Sequence, residues 1–279
     1  VIEMFSYEFM QVAALVAVAA SVACALLSCW IVLIGWSLIG DAVSHAVLPG
    51  VVLAYAVGVP FTAGALLFAF IAVGLIALVR QGPTKEDAAI GVVFTSLFAL
   101  GLVLVSVVPS HLDLGHILFG NVLGVSDAEV VQVVVLAVLV AMVLVVLRRP
   151  LTMYAFDPVH TYMMGRSPRM LAGVLLTLLA VTAVVGLQAV GVVLVVALLI
   201  IPGVTARLLT DRIGRMLVIA PLIAVAATAA GLMTSFALDV APGGMIVLGQ
   251  SAVYAMVYLL APQRGMLPRL ARRNHEMPV

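Results

Sequence analysis

Nine apolar runs, most of them long enough to cross a lipid bilayer as helices, occupy the greater part of this 279-residue chain. They are about Met10–Ile34, Ser37–Val57, Phe61–Val79, Ala89–Val108, Val130–Leu147, Met170–Gly186, Ala189–Ile201, Met216–Leu238 and Met245–Ala261. Such lengths exceed the 9–11 residues of a membrane barrel strand, and a bilayer offers no water to an unpaired backbone, so helices are required. The seventh run is short for a span of about 17 residues and reads as a short central helix or a re-entrant one. Turn formers mark the cuts: Gly58-Val-Pro60, Gly82-Pro83, Pro109, Arg149-Pro150, Gly186, Pro202-Gly203 and Pro242-Gly243-Gly244. The chain is 65% hydrophobic and 9% charged, against about a quarter charged in ordinary soluble domains. A soluble fold of this size leaves roughly 25% of its chain surface in water, so a soluble enzyme is excluded. A net charge of +1 gives no footprint for nucleic acid. The fold class is all-α, a polytopic transmembrane bundle of eight or nine helices.

The charges then set the topology. Arg80 and Lys85 follow the third run, and Arg148, Arg149, Arg166 and Arg169 follow the fifth. Arg207, Arg212 and Arg215 follow the seventh, and Arg264, Arg269, Arg272 and Arg273 follow the ninth. Every cation thus falls after an odd-numbered run, while the opposite loops hold Glu3, Glu8, His111, Asp113, His116, Asp127, Glu129 and Asp239. The positive-inside rule predicts an outer N-terminus, a cytoplasmic C-terminus and nine crossings. Residues 1–262 are expected to form the transmembrane domain and residues 263–279 a basic cytoplasmic tail. The N-terminus lacks a basic n-region, so a cleaved signal peptide is not expected. No Gly-x-x-x-x-Gly-Lys-Ser/Thr loop occurs, so ATP-driven chemistry must come from a partner.

One pair of ionisable groups breaks the pattern. From Phe9 to Val79, 71 residues contain Asp41 and His45 as their only acid or base groups apart from Tyr55, Cys24 and Cys29. Four residues apart on a helix, Asp41 and His45 share a face, about 6 Å apart at Cβ. An Asp at the centre of a spanning helix costs about 2.5–3.5 kcal/mol on insertion scales, so it tends to face a path or a partner. Two readings fit the spacing: half of a site for Mn²⁺, Fe²⁺ or Zn²⁺, or an Asp–His hydrogen bond that braces packing and also holds Ser44. Pro49-Gly50 is expected to bend or break this helix. Cys24 and Cys29, five apart, do not face each other and receive no metal or disulfide role.

The stretch Gly40-Asp-Ala-Val-Ser-His-Ala-Val-Leu-Pro-Gly50 resembles the second-helix signature of the metal-type ABC transporter permeases, importers for manganese, zinc and iron. Lys85-Glu-Asp-Ala-Ala-Ile-Gly91, His116-Ile-Leu-Phe-Gly-Asn-Val-Leu-Gly-Val-Ser126, Phe156-Asp-Pro158 and Gly191-Val-Val-Leu-Val-Val-Ala-Leu-Leu-Ile-Ile-Pro202 resemble further signatures in the family's order. The Lys85-Glu-Asp87 and Phe119-Gly-Asn-Val-Leu-Gly-Val-Ser126 stretches look closer to the manganese/iron permeases than to the zinc ones. The resemblance implies a permease of the bacterial inner membrane that is not itself an enzyme. It works as a homodimer, with ATP on two cytoplasmic ATPase subunits and with an extracytoplasmic metal-binding lipoprotein delivering the cargo. No cofactor is bound permanently. The transported ion is Mn²⁺ first, with Zn²⁺ or Fe²⁺ as alternatives, or a metal chelate. The family's proposed intramembrane ligands match Asp41 and His45.

Other residues carry weaker expectations. Pro202 is expected to stop a helix, with a short basic amphipathic helix following to Arg215. By resemblance this 202–215 segment is the coupling helix to the ATPase, through Arg207, Asp211, Arg212 and Arg215; a lipid-headgroup anchor is its plainer reading. His111, Asp113 and His116 form an outer cluster, either a metal entry point or a solvated loop. Asp239 either serves an outer gate or caps a turn, and Asp157 and His160 read as local braces. Gly64, Gly74, Ala63, Ala65, Ala69 and Ala72 make the third run suited to close helix approach. An intramembrane metalloprotease would need a His-Glu-x-x-His helix, which does not occur.

Overall fold

The computed structural model describes residues 8–79, 85–107, 127–261 and 265. Its helices are α1 (Glu8–Ile34), α2 (Ser37–Ala46), α3 (Leu48–Val57), α4 (Phe61–Val79), α5 (Glu86–Val107), α6 (Asp127–Val146), α7 (Arg148–Phe156), α8 (Pro158–Met163), α9 (Pro168–Val190), α10 (Val192–Leu209), α11 (Ile213–Leu238) and α12 (Pro242–Leu260). Among the described residues nine segments are long and apolar enough to cross a membrane, α2 and α3 together making one.

Helix α1 lies at the centre, packed against α6, α7, α9, α10 and α11. Lipid tails are as apolar as leucine, so hydrophobicity alone does not bring such helices together; close packing and buried hydroxyls do. Ala13, Ala17, Ala20 and Ala23 are fully buried on α1, letting its neighbours approach. The Ser21 hydroxyl lies 2.7 Å from that of Thr228 on α11. The outer helices instead show large apolar side chains outward, among them Leu67, Phe70, Val103, Val138 and Leu248. On α4 one stripe, Ala65, Ala69, Ala72 and Ile76, is buried at helical spacing. Gly64 packs so closely on α3 that a Cβ there would collide with the Gly50 carbonyl, and one on Gly50 with that of Gly64. The close approach expected of the third run therefore occurs on this face, whereas Gly74 is open to its surroundings.

Helix boundaries match the sequence expectation at one place and depart from it at two. The second span steps at Val47, between α2 and α3, because Pro49 has no N–H for the His45 carbonyl; this is the bend expected there. The sixth span does not end at Gly186. It continues to Val190 and turns at Gly191, whose φ of +82° suits glycine. Gly186 serves instead as a packing position, since a Cβ would strike the Val195 side chain. The second departure corrects the expectation at Pro202: α10 runs through this proline to Leu209. A buried helix can carry a proline when its neighbours hold it in place. Here α1 presses close, and a Cβ on Gly203 would meet the Ser28 carbonyl. The short seventh run is thus an 18-residue spanning helix, and no separate helix follows Pro202.

Two ends of the bundle are distinguished by their contacts. At one, the Trp30 indole donates to Thr152 Oγ1 at 3.2 Å, and Trp36 meets Tyr154 edge-on. There a groove of about 370 Å³ lies between Arg148 and Arg149 of α7 and Ile213 and Gly214 of α11. At the other end, a cavity of about 300 Å³ joins Phe9 and Met10 of α1 to Ser235, Asp239 and Pro242. Of the charged residues, Arg148 and Arg149 line the first of these and Asp239 the second.

Candidate metal centre

The second span is seated from behind. Gly40 brings the α2 backbone against Leu199 of α10 and Leu179 of α9, where a Cβ would already lie 3.4 Å from the Leu199 Cδ1. Ser44 is buried and donates to the Gly40 carbonyl at 2.8 Å; it does not join the Asp–His pair. With Ile39, Gly40, Ala42, Val43, Ser44 and Ala46 buried, α2 keeps one open stripe, Leu38, Asp41 and His45. Side-chain exposure is 38% at Asp41 and 23% at His45. At 1.5 Å per residue, the pair stands about 6–12 Å along the axis from Ser37.

Asp41 and His45 touch. His45 Nδ1 lies 3.3 Å from Asp41 Oδ1 and 3.1 Å from the Asp41 carbonyl oxygen. The ring also meets Phe94 and Phe98 of α5, with centroids 5.4 and 5.7 Å away and planes nearly perpendicular. Among the described residues no third His, Cys, Asp or Glu joins the pair. One protomer therefore offers a carboxylate and an imidazole, harder O and N donors suited to a divalent first-row metal. Completing a coordination shell requires water, carbonyl oxygens or a second chain.

The other expected residues are dispersed. His111, Asp113 and His116 lie outside the described residues, as do residues 266–279. Arg207 and Asp211 pair with each other, Nη1 to Oδ1 at 3.1 Å, across the last turn of α10 into the Thr210–Arg212 link. Arg212 and Arg215 are exposed beyond it. Asp157 caps α8, its Oδ1 accepting from the His160 N–H at 2.9 Å. Asp239 ends α11 in a left-handed conformation with φ of +52°, as a turn cap does. Cys24 and Cys29 are buried within α1.

Sequence reasoning missed two features. The first is the aromatic pair on α5, one turn apart, which nothing in the sequence attached to His45. The second is α8 with its flanks, outside every span yet rich in exposed apolar side chains: Phe156, Val159, Tyr162, Met163 and Met164. Their spacing after the Phe156-Asp-Pro158 motif was the available signal.

Comparison with known proteins supplies the context. The chain is 42% identical over 274 residues to the manganese transport system membrane protein MntB of Synechocystis sp., covering 98% of this chain and 90% of that one. It is 44% identical over 261 residues to the chelated iron transport system membrane protein YfeD of Yersinia pestis, covering 92% and 87%. The fold matches PsaBC from Streptococcus pneumoniae, solved in complex with Fab, with a TM-score of 0.87, 32% identity and 97% of each chain covered. A metal-chelate type ABC transporter in an inward-facing conformation shares the fold with a TM-score of 0.72, at 18% identity over 89% of this chain and 85% of that one. The profile of the ABC 3 transport family matches residues 6–261, and the chain belongs to that family.

Proposed function

We propose that this chain is the permease subunit of an ATP-binding-cassette importer that moves a divalent transition metal, Mn²⁺ foremost, into the cytoplasm. The observation that carries the reading is the Asp41–His45 pair on the one open stripe of an otherwise buried intramembrane helix. A carboxylate and an imidazole in that position are costly unless they serve a path, and both are metal ligands. Two copies of the chain would bring two such pairs together and supply the donors a single protomer lacks. Alternating access then exposes the shared site to one side of the membrane and afterwards to the other.

ATP is hydrolysed by a separate subunit, and an extracytoplasmic metal-binding lipoprotein delivers the ion. With the N-terminus outside, the basic end of the bundle faces the cytoplasm. The ATPase seats there on α8, whose Tyr162 and Met163 are 73% and 78% exposed, with Arg212 of the Thr210–Arg212 link and Arg215 of α11 as further contacts. This places the principal coupling contact before α9, and leaves the 202–215 segment a secondary role.

The 44% identity to a chelated iron transport protein favours iron as the second reading. Uptake of radiolabelled Mn²⁺ into proteoliposomes carrying the assembled importer tests both. Wild-type protein should accumulate Mn²⁺ with ATP, and His45→Ala or Asp41→Ala should reduce this to background at unchanged permease abundance. Normal uptake by either variant refutes the assignment of that residue, and ATP-dependent accumulation of radiolabelled Fe²⁺ without that of Mn²⁺ moves the cargo to iron.

A further inference from the structure

His45 has two ring nitrogens, and its surroundings commit one of them. Nδ1 faces the Asp41 carbonyl oxygen at 3.1 Å and Asp41 Oδ1 at 3.3 Å. A carbonyl and a carboxylate can only accept, so the favourable neutral tautomer carries its hydrogen on Nδ1 and donates it to Asp41. The lone pair is then on Nε2. Histidines that bind metals commonly donate the other ring N–H to a carboxylate or a carbonyl, which fixes both tautomer and ring orientation.

A hydrogen bond at one nitrogen still leaves the plane of the ring adjustable. On the α5 side that freedom is taken up by Phe94 and Phe98, whose planes stand 78° and 80° to the imidazole. The two phenyl rings are themselves 5.9 Å apart and within 22° of parallel, so they form one continuous wall. Helix α5 is held close at this height because Gly101 sits on Leu48, whose side chain a Cβ at 101 would overlap. Neither phenyl ring can ligate a metal or accept the Nδ1 hydrogen. Their effect is therefore geometric.

We propose that Phe94 and Phe98 are positioning residues for metal passage: they clamp the His45 ring with Nδ1 on Asp41, so that Nε2 is the atom presented to a divalent cation. The inference rests on His45 lying on the metal path. It gives α5 a function in the site that neither Asp41 nor His45 discloses by itself.

The test uses the full permease with its ATPase and binding protein for uptake, with Mn²⁺ as the probe, and the purified permease in lipid nanodiscs for ¹⁵N-histidine NMR. His45 is assigned by the signal lost in His45→Ala. Wild-type protein should show His45 protonated on Nδ1 and bare on Nε2. Phe94→Leu with Phe98→Leu should lower Mn²⁺ uptake about tenfold, in the range found for residues that orient metal ligands. The same variant should give a mixed tautomer signal, and Phe94→Tyr with Phe98→Tyr should restore both to within about twofold. A purely structural role would lower the amount of folded permease and leave the tautomer unchanged, which overturns the proposal. So does a wild-type His45 protonated on Nε2, a measurement that needs no variant to fold beyond the assignment control. Wild-type uptake by His45→Ala would instead remove the metal-path reading on which the clamp depends.

Discussion

Helix α2 and helix α8 violate the same rule in opposite directions. Helix α2 lies within an apolar span and keeps a carboxylate and an imidazole on its open stripe. Helix α8 lies outside the spans and keeps Val159, Tyr162 and Met163 exposed. Each mismatch has a cost in a lone protomer: polar groups in a low-dielectric region at α2, apolar surface toward water at α8. The proposed function would resolve both: a cation passing α2 would satisfy the pair, and an ATPase docked on α8 would cover the patch. The proposed cargo and drive regions lie about 120 residues apart in sequence and are joined through α9, which packs against both α2 and α8.

The strongest way to break this comparison is to make α2 obey the rule. Asp41→Leu with His45→Leu should abolish Mn²⁺ uptake while leaving thermal stability unchanged or raised, because apolar groups remove the cost of holding a carboxylate and an imidazole within an apolar span. Thermal unfolding in detergent reads the second half. A large fall in the midpoint would make the pair a structural brace and dissolve the contrast.

The complementary change makes α8 polar. Tyr162→Glu with Met163→Glu should cut uptake about 30-fold, equivalent to losing about 2 kcal/mol of a docking hot spot. The midpoint of the isolated permease should hardly move, as exposed substitutions usually stay within about 0.5 kcal/mol. Co-purification with the ATPase should fail in parallel. Full ATPase capture with full uptake would take α8 out of the drive mechanism. A smaller effect is expected where the two helices of the second span are seated. Gly50→Ala forces a methyl into the Gly64 backbone and should cost about 1–3 kcal/mol, lowering the midpoint by a few degrees with partial uptake retained. An unchanged midpoint would mean that α3 and α4 are free to separate, and that the seat of Asp41 and His45 is looser than the packing implies.

Legibility in the sequence followed from how local each signal is. The spans at α4, α11 and α12 were readable because apolar length is a property of consecutive residues. The Asp41–His45 contact was readable for the same reason, since i,i+4 neighbours meet on any helix. Pro202 misled because its local rule, a missing N–H, was overridden by contacts with α1 that no window on residue 202 contains. The Arg207–Asp211 bridge is local in the same way, an i,i+4 pair of little energy by itself. Phe94 and Phe98 were invisible as site residues because they reach His45 from about 50 positions away.

By itself, then, the sequence determined that this chain spans a bilayer repeatedly as helices, that its cations fall after alternate runs, and that Asp41 and His45 stand alone among 71 residues. Solvent transfer and helical periodicity suffice for that, since both act through neighbours along the chain. Only the tertiary structure decided that Pro202 lies inside a helix, that α2 leaves its acid and its imidazole half-exposed, that two phenyl rings close on the imidazole, and that α8 leaves its apolar face uncovered. Those outcomes depend on which helices pack together, and among equally apolar helices that choice is made by close contact at glycines, alanines and buried hydroxyls.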